Sequence, residues 1–295
     1  MIPLRNEQTT KLPGLGVDFH MHTIASDGSW TPDSLVETAA TQGIRIMTVS
    51  DHDSIKSVEP VSKLAQARGI QFITGVELTV DWKGAMYHLL LFNFDPSNIE
   101  LNKMLADTQR QQLSKKEYII YELKKLGYTL HKLDSFKRPN GDFLAIDIVR
   151  ALQRGGEVKT FDEGLNICLK FGLTERICSQ SIDKALQIGL AAGGLPVLAH
   201  PNRPERSFTI PTNTILHEFK AAGMAGLEAY HPSHTPEDIK HLVYFAKEND
   251  LVISCGSDSH NDARRPQPWN PELCRSLLER LDLEIPLPME AEVAS

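Results

Sequence analysis

Cysteine is scarce in this 295-residue chain, with only Cys168, Cys178, Cys255 and Cys274 present. None forms a C-x-x-C pair or a zinc-knuckle spacing, so a disulfide framework and a thiolate zinc site are both unexpected, and a reducing compartment fits. Positive charge is short as well. With 31 Lys plus Arg against 38 Asp plus Glu the formal net charge is −7, which excludes a global basic field for holding long nucleic acid. No stretch approaches the ~20 apolar residues of a membrane span. Residues 1–12 carry polar and charged side chains where a secretory signal needs an apolar run, so a cytoplasmic protein is expected. There is no P-loop, no internal repeat and no low-complexity tract. What remains is 41% hydrophobic and 23% charged, enough to bury a real core in one large domain or two unequal ones.

Short β-branched runs alternate with helical patterns, which predicts an α/β fold of βα units around a mainly parallel sheet or barrel. Seven strands are expected, at Val17–Met21, Arg45–Ser50, Gln71–Glu77, Ala85–Phe92, Leu195–Ala199, Gly226–Tyr230 and Leu251–Cys255. Thr31 before Pro32 and Thr235 before Pro236 are helix caps followed by proline at the first helical position. Gly43 and Gly69 mark helix stops. The rhythm breaks between about Ile99 and Lys184, where long polar helical segments follow one another. The expected organisation is therefore 15–95, the first part of the barrel, 96–184, an inserted helical subdomain, and 185–285, the second part of the barrel. The tail after Leu283 has little to pack.

Histidines and carboxylates fall where those strands end. Strand one holds Asp18, His20 and His22, which a period of two places on one face. Asp27 lies in the loop that follows, His52 closes strand two, Glu77 closes strand three, and His88 sits in the apolar run of strand four. His200 ends strand five, and Asp258 with His260 follow the last strand. Six of the eleven histidines and three carboxylates thus meet at one face, where βα barrels build active sites. Nine nitrogen and oxygen donors without sulfur suit two or three divalent ions such as zinc, manganese or iron(II). For His88, taken alone, the competing reading is a hydrogen-bonded core histidine.

This donor set, His20-x-His22, Asp27, Ser50-Asp-His52, Glu77, His88, His200 and Asp258-x-His260, resembles the metal-ligand motifs of the PHP family, the polymerase and histidinol phosphatase domain. The similarity runs from about Gly16 to His260 and includes the helical insertion of free-standing phosphoesterases related to nucleoside bisphosphate phosphatases and a 5′ to 3′ exoribonuclease. The resemblance implies a distorted (β/α)7 barrel with a trinuclear site. It assigns His20, His22, Glu77 and Asp258 to one ion, Asp27, His52 and His260 to a second, and Glu77, His88 and His200 to a third. Nucleotide-directed relatives carry a histidine where this chain has Asp147, and a small loop where it has Lys170–Arg176. A carboxylate at 147 would repel a second phosphate.

The expected activity is hydrolysis of phosphate monoesters of nucleotide-like substrates, or of the 5′ ends of short oligonucleotides, by a hydroxide bridging the ions. The alternatives are a phosphodiesterase that opens small cyclic phosphates, and a C–N or ester hydrolase of the amidohydrolase kind, which would need a bridging lysine at a strand end. A non-catalytic metal-stabilised module needs no more than about four ligands per ion and no open position. The partner is a small phosphorylated molecule, with no membrane and no long nucleic acid. His231 is expected to contact phosphate or protonate the leaving oxygen, or else to be a loop histidine. Arg203 is expected to make bidentate phosphate contact, or else to be a solvated loop residue. Arg110 and Arg138, with Lys115 and Lys116, are weaker candidates for substrate contact. Asp18, Asp51 and Asp53 either orient ligand rings or cap turns. His131, His217 and His241 are expected at the surface, and Cys255 as a packed strand residue.

Overall fold

The computed structural model describes residues 16–137, 141, 143–173, 180–203 and 209–285. Its strands are β1 (Gly16–Asp18), β2 (Ile44–Val49), β3 (Gln71–Trp82), β4 (Ala85–Phe92), β5 (Gln180–Ser181), β6 (Leu195–Leu198), β7 (Gly226–Tyr230) and β8 (Val252–Cys255). The helices are α1 (Pro32–Thr41), α2 (Val58–Ala67), α3 (Ile99–Lys125), α4 (Ala145–Arg154), α5 (Phe161–Lys170), α6 (Ile182–Ala191), α7 (Asn213–Ala221), α8 (Pro236–Glu248) and α9 (Arg275–Arg280). Thr31 and Thr235 cap α1 and α8 through reciprocal hydrogen bonds with Ser34 and Asp238, each helix beginning on proline. Gly43 and Gly69 adopt the positive φ that ends the helices before β2 and β3.

Seven strands form one path, β1-β2-β3-β4-β6-β7-β8, with the unanticipated β5 pairing with β3. Main-chain bonds then link its two ends: Phe19 N donates to Cys255 O at 3.2 Å and His22 N to Ser259 O at 2.8 Å. The pairing is parallel except around β4, which is antiparallel to both β3 and β6. The cause is the two-residue connection Lys83-Gly84. Both residues have positive φ, 52° and 80°, as a tight hairpin turn requires. The hairpin carries β3 five residues beyond its expected end at Glu77, so Glu77 lies within a strand rather than closing one.

Side-chain alternation then decides which residues face inward. On β4, Leu90 and Phe92 join an inner cluster with Val17, Ile46, Ile73, Val197 and Val252, closed below by Leu277 and Leu278 of α9. Leu89 and Leu91 face outward against α6 and its neighbours. His88 shares the parity of Leu90, and Glu77 is paired with Leu90 in the ladder, so both project inward above the apolar floor. Strand one departs from the expected run to Met21. Its ladder stops at Asp18, whose carboxylate accepts the His20 N–H at 3.3 Å, and Met21 packs outward with α1 and α2.

The long helix α3 spans two cores. Leu101, Met104 and Leu105 pack on the sheet, whereas Ile119 and Leu123 join Ile148, Val149, Leu152 and Cys168 of α4 and α5 in a separate cluster. That second cluster runs from Ile119 to Leu173 and is separate from the sheet's own. No helix among the described residues is long and apolar enough to cross a membrane.

Candidate metal centre

Backbone bends at the strand ends aim the donors at a common point. His200 follows β6 in the left-handed region at φ 26°, and Asp258 does the same after β8 at φ 50°, costly conformations for residues with a side chain. His52 lies beyond β2 rather than closing it, and its main chain bridges to Glu77.

All nine expected donors converge. Around the first position, His20 Nε2 lies 3.1 Å from His22 Nε2 and 3.0 Å from Glu77 Oε2. Asp258 Oδ1 is 3.2 Å from His22 Nε2 and 3.5 Å from His20 Nε2. Four ligands held tetrahedrally at about 2.0–2.1 Å from an ion would stand about 3.3 Å apart. The other oxygen of Glu77 faces His88 Nδ1 at 2.8 Å and His200 Nε2 at 3.0 Å. Asp27 Oδ2 lies 3.0 Å from His260 Nε2 and 3.7 Å from His52 Nε2. Glu77 thus stands between two donor groups, while the third gathers on Asp27. His52, His260 and Asp27 keep about a fifth of their side-chain surface, so the pit opens on that side; His20 and His22 are fully buried.

Hydrogen-bond polarity tests whether cations fit. His20 Nδ1 bonds the Glu228 carboxylate at 2.9 Å, and His260 Nδ1 bonds the Asp258 carbonyl at 2.8 Å. Both partners only accept, so the proton of each neutral ring is on Nδ1 and Nε2 presents a lone pair. Those lone pairs point at carboxylate oxygens and, for His20, at another imidazole nitrogen. Acceptor crowded against acceptor is unfavourable without shared protons or a cation between them. His22 Nδ1 is buried without a hydrogen bond. The residues present fit divalent ions.

Charge in the pit follows the same logic. Burial alone would raise Glu77 and Asp258, but the surrounding imidazoles hold both carboxyls well below their usual range. Burial lowers His20, yet Glu228 and Glu77 hold it well above an ordinary histidine. His22 is likewise pushed down by burial and carried up to about 10 by Asp258 and Glu77. His200 goes the other way, to about 4, because burial outweighs Glu77. Cations entering the pit would displace the protons held there.

Other candidates separate into three groups. His231 is buried beside the pit, Nε2 3.4 Å from Asp258 Oδ2. Its Nδ1 accepts the Ser233 N–H at 3.1 Å, which puts the ring proton on Nε2, facing the donors. Arg203 Nη1 reaches Asp258 Oδ2 at 3.2 Å. By contrast Arg110 is exposed and pairs with Asp107 on its own helix, Lys116 is buried with its ammonium on Phe143 O at 2.8 Å, and Arg138 lies outside the described residues. Asp147 caps α4 by accepting Leu144 N at 2.8 Å and pairs with Arg150 at 2.8 Å. Its carboxylate is thus engaged on its own helix; of Lys170–Arg176, residues 174–176 lie outside the described residues.

Asp18, Asp51 and Asp53 are turn carboxylates. They accept from main-chain N–H groups of His20, Ser257, Gln267, Thr23 and Thr79, and from side chains that include Ser26 and Gln112. The residue that receives a ligand ring is Glu228, which sequence reasoning missed. Its signal is a lone acid in the apolar strand Gly226-Leu-Glu-Ala-Tyr230. Arg264 was missed too, and its Nη1 stands 2.7 Å from Asp258 Oδ2. His234 ties loops together, its Nδ1 bonding Ala229 O and its Nε2 accepting from Asn202 N. Cys255 is fully buried in the inner cluster, and burial pushes its thiol well above the ordinary range, as befits packing rather than nucleophilic attack.

A sulfur-free pit of imidazoles and carboxylates at the strand ends of an α/β sheet defines the class of metal-dependent hydrolases. Residues 18–122 match the PHP domain model. The chain is 30% identical over 246 residues to a 5′-3′ exoribonuclease of Haemophilus influenzae, covering 82% of this chain and 89% of that protein. It is 27% identical to a 3′,5′-nucleoside bisphosphate phosphatase of Chromobacterium violaceum (93% and 99% covered). It is also 24% identical to a phosphoribosyl 1,2-cyclic phosphate 1,2-diphosphodiesterase of Eggerthella lenta (82% and 93%). Among solved structures, one described as an amidohydrolase from Chromobacterium violaceum, with bound sulfate and no metal, superposes with a TM-score of 0.75 at 26% identity (94% and 99%). The chain belongs to the PHP family.

Proposed function

We propose that this chain hydrolyses phosphate monoesters of nucleotide-like substrates, or acts at the 5′ ends of short oligonucleotides, with two or three divalent ions as cofactors. Metal-dependent phosphoester hydrolysis is the chemistry of its family; the substrate class and the ions, manganese, iron(II) or zinc, are our reading. The single observation that carries it is Glu77, whose two oxygens face His20 and His22 on one side and His88 and His200 on the other, at 2.8 to 3.2 Å. A carboxylate so surrounded suits a ligand shared between neighbouring ions. Bound ions would supply Lewis-acid charge that draws in phosphate and makes water a better nucleophile.

In this reading His20, His22, Glu77 and Asp258 hold one ion, Asp27, His52 and His260 a second, and Glu77, His88 and His200 a third. The Nε2 proton of His231 is placed to reach the leaving oxygen of a substrate lying over Asp258. Arg203 and Arg264 each bond Asp258 Oδ2, and guanidinium groups beside the donors suit recognition of a phosphoryl group. Asp51 holds the Asp27 loop by accepting from Thr23 N and Ser26 Oγ at 2.7 and 2.6 Å, which keeps one donor in place before substrate arrives. Buried thiols at Cys168, Cys255 and Cys274 suit the reducing cytoplasm. The 1,2-cyclic phosphate relative supports a second reading, opening of a small cyclic phosphodiester.

Metal-reconstituted protein offered mononucleotides, nucleoside bisphosphates, cyclic phosphates and 5′-phosphorylated oligonucleotides tests both readings. Release of inorganic phosphate from the monoesters is the expected result. Ring opening without phosphate release would favour the diesterase. Inactivity on every substrate with manganese, zinc and iron(II) would overturn both.

A further inference from the structure

We propose that Glu228 is a positioning residue of this centre, fixing His20 in the tautomer that turns Nε2 toward the donor group and holding the main chain of His200 in its left-handed bend. The inference rests on the metal-centre reading above. Glu228 occupies the middle of β7, flanked by Leu227 and Ala229, which pack outward, and it is fully buried. A carboxylate is expensive to bury unless its oxygens are satisfied. Here Oε1 takes His20 Nδ1 at 2.9 Å and Oε2 takes the His200 N–H at 2.8 Å. One side chain therefore reaches a ligand from each of two other strands' ends.

Two further observations show that the chain makes room for this arrangement. Gly256 passes against it, and a Cβ there would overlap His20 Cβ and come 2.6 Å from Glu228 Oε1. His200 stands at φ 26°, where an unbonded buried N–H would add to the conformational cost. Chemistry then distinguishes Glu from Gln. An ionised carboxylate accepts at both oxygens, while an amide of the same shape accepts at one and donates at the other. Glu228→Gln must either leave His20 Nδ1–H or His200 N–H facing a donor, or move the His20 ring proton to Nε2, where it faces the donor group.

The test compares manganese(II) binding to chelator-stripped wild type and Glu228→Gln by calorimetry, with circular dichroism to verify the fold. Affinity in the variant should fall by roughly 10- to 100-fold, the usual cost of losing a group that orients a ligand. Unchanged affinity and stoichiometry would overturn the role of Glu228 and leave the proposed function standing. Wild type that binds no manganese(II) would instead remove the centre itself, and this inference with it. A readout independent of any variant comes from long-range proton–nitrogen-15 correlation of the histidine rings in the zinc-loaded wild type. A proton on His20 Nδ1 supports the proposal even if Glu228→Gln does not fold, and a proton on Nε2 contradicts it.

Discussion

The donor pit and the helices of residues 99–173 handle charge in opposite ways. Along the helices ionic groups pair with neighbours one turn away: Asp107 with Arg110, Glu122 with Lys125, Asp147 with Arg150. These pairs are local, and at least one partner of each reaches water, so they contribute little beyond helix stability. In the pit, Glu77 and Asp258 face rings contributed by distant parts of the chain, and His20 and His260 turn lone pairs at the carboxylates of Glu77 and Asp27. The first pattern is complete as it stands. The second is complete only when something positive occupies it, and that incompleteness distinguishes a binding centre from a charged surface.

Removing the shared carboxylate should have the largest effect. Glu77→Gln is expected to lose bound metal and to lower kcat by about 10³-fold or more, since Lewis-acid stabilisation is worth several kcal/mol; steady-state turnover beside metal analysis checks it, and a variant retaining both would erase the contrast. Next in size is His231→Asn, expected to slow hydrolysis of esters with poor leaving groups by about 10²-fold. Substrates with good leaving groups should suffer much less, and a leaving-group series reads the difference. Arg203→Ala and Arg264→Ala should each raise KM by about 10-fold, the loss of one charge-assisted contact. Arg110→Ala should change it less than about 2-fold, and an equal effect at Arg110 would bring the helices into the site.

The smallest effect lies in stability. Burial raises the Asp238 carboxyl, but hydrogen bonds from Asn202 and Thr235 more than offset this and leave it below the usual range. A carboxylate with a depressed folded pKa contributes stability that is present above its unfolded value, 3.8, and is lost as pH falls through the folded value below it. Asp238→Asn should therefore cost about 1 kcal/mol of cap stability at neutral pH, with the gap from wild type closing in denaturant titrations below pH 3.8.

Much of the centre is legible in the sequence because donors cluster at the ends of short β-branched runs, and strand ends of an α/β sheet gather at one face. His20, His22, His52, His200, Asp258 and His260 were all placed by that reasoning. Their ring orientation was not, because it depends on Glu228, whose sequence neighbours are apolar and whose partners are 208 and 28 residues away. The extension of β3 past Glu77 was missed because Lys83-Gly84 is a turn signal only once both flanking runs are read as strands. Asp51 and Asp53 adjoin a ligand in sequence, yet the turn they sit in sends their carboxylates to main-chain N–H groups. Adjacency along the chain did not reveal that direction.

The most direct test of the central claim is elemental analysis of protein loaded with manganese(II), desalted, and compared with Glu77→Gln treated identically. At least two ions per chain in wild type, falling sharply in the variant, is the predicted result. Fewer than one ion per chain in wild type, or equal loading of the two proteins, would contradict it.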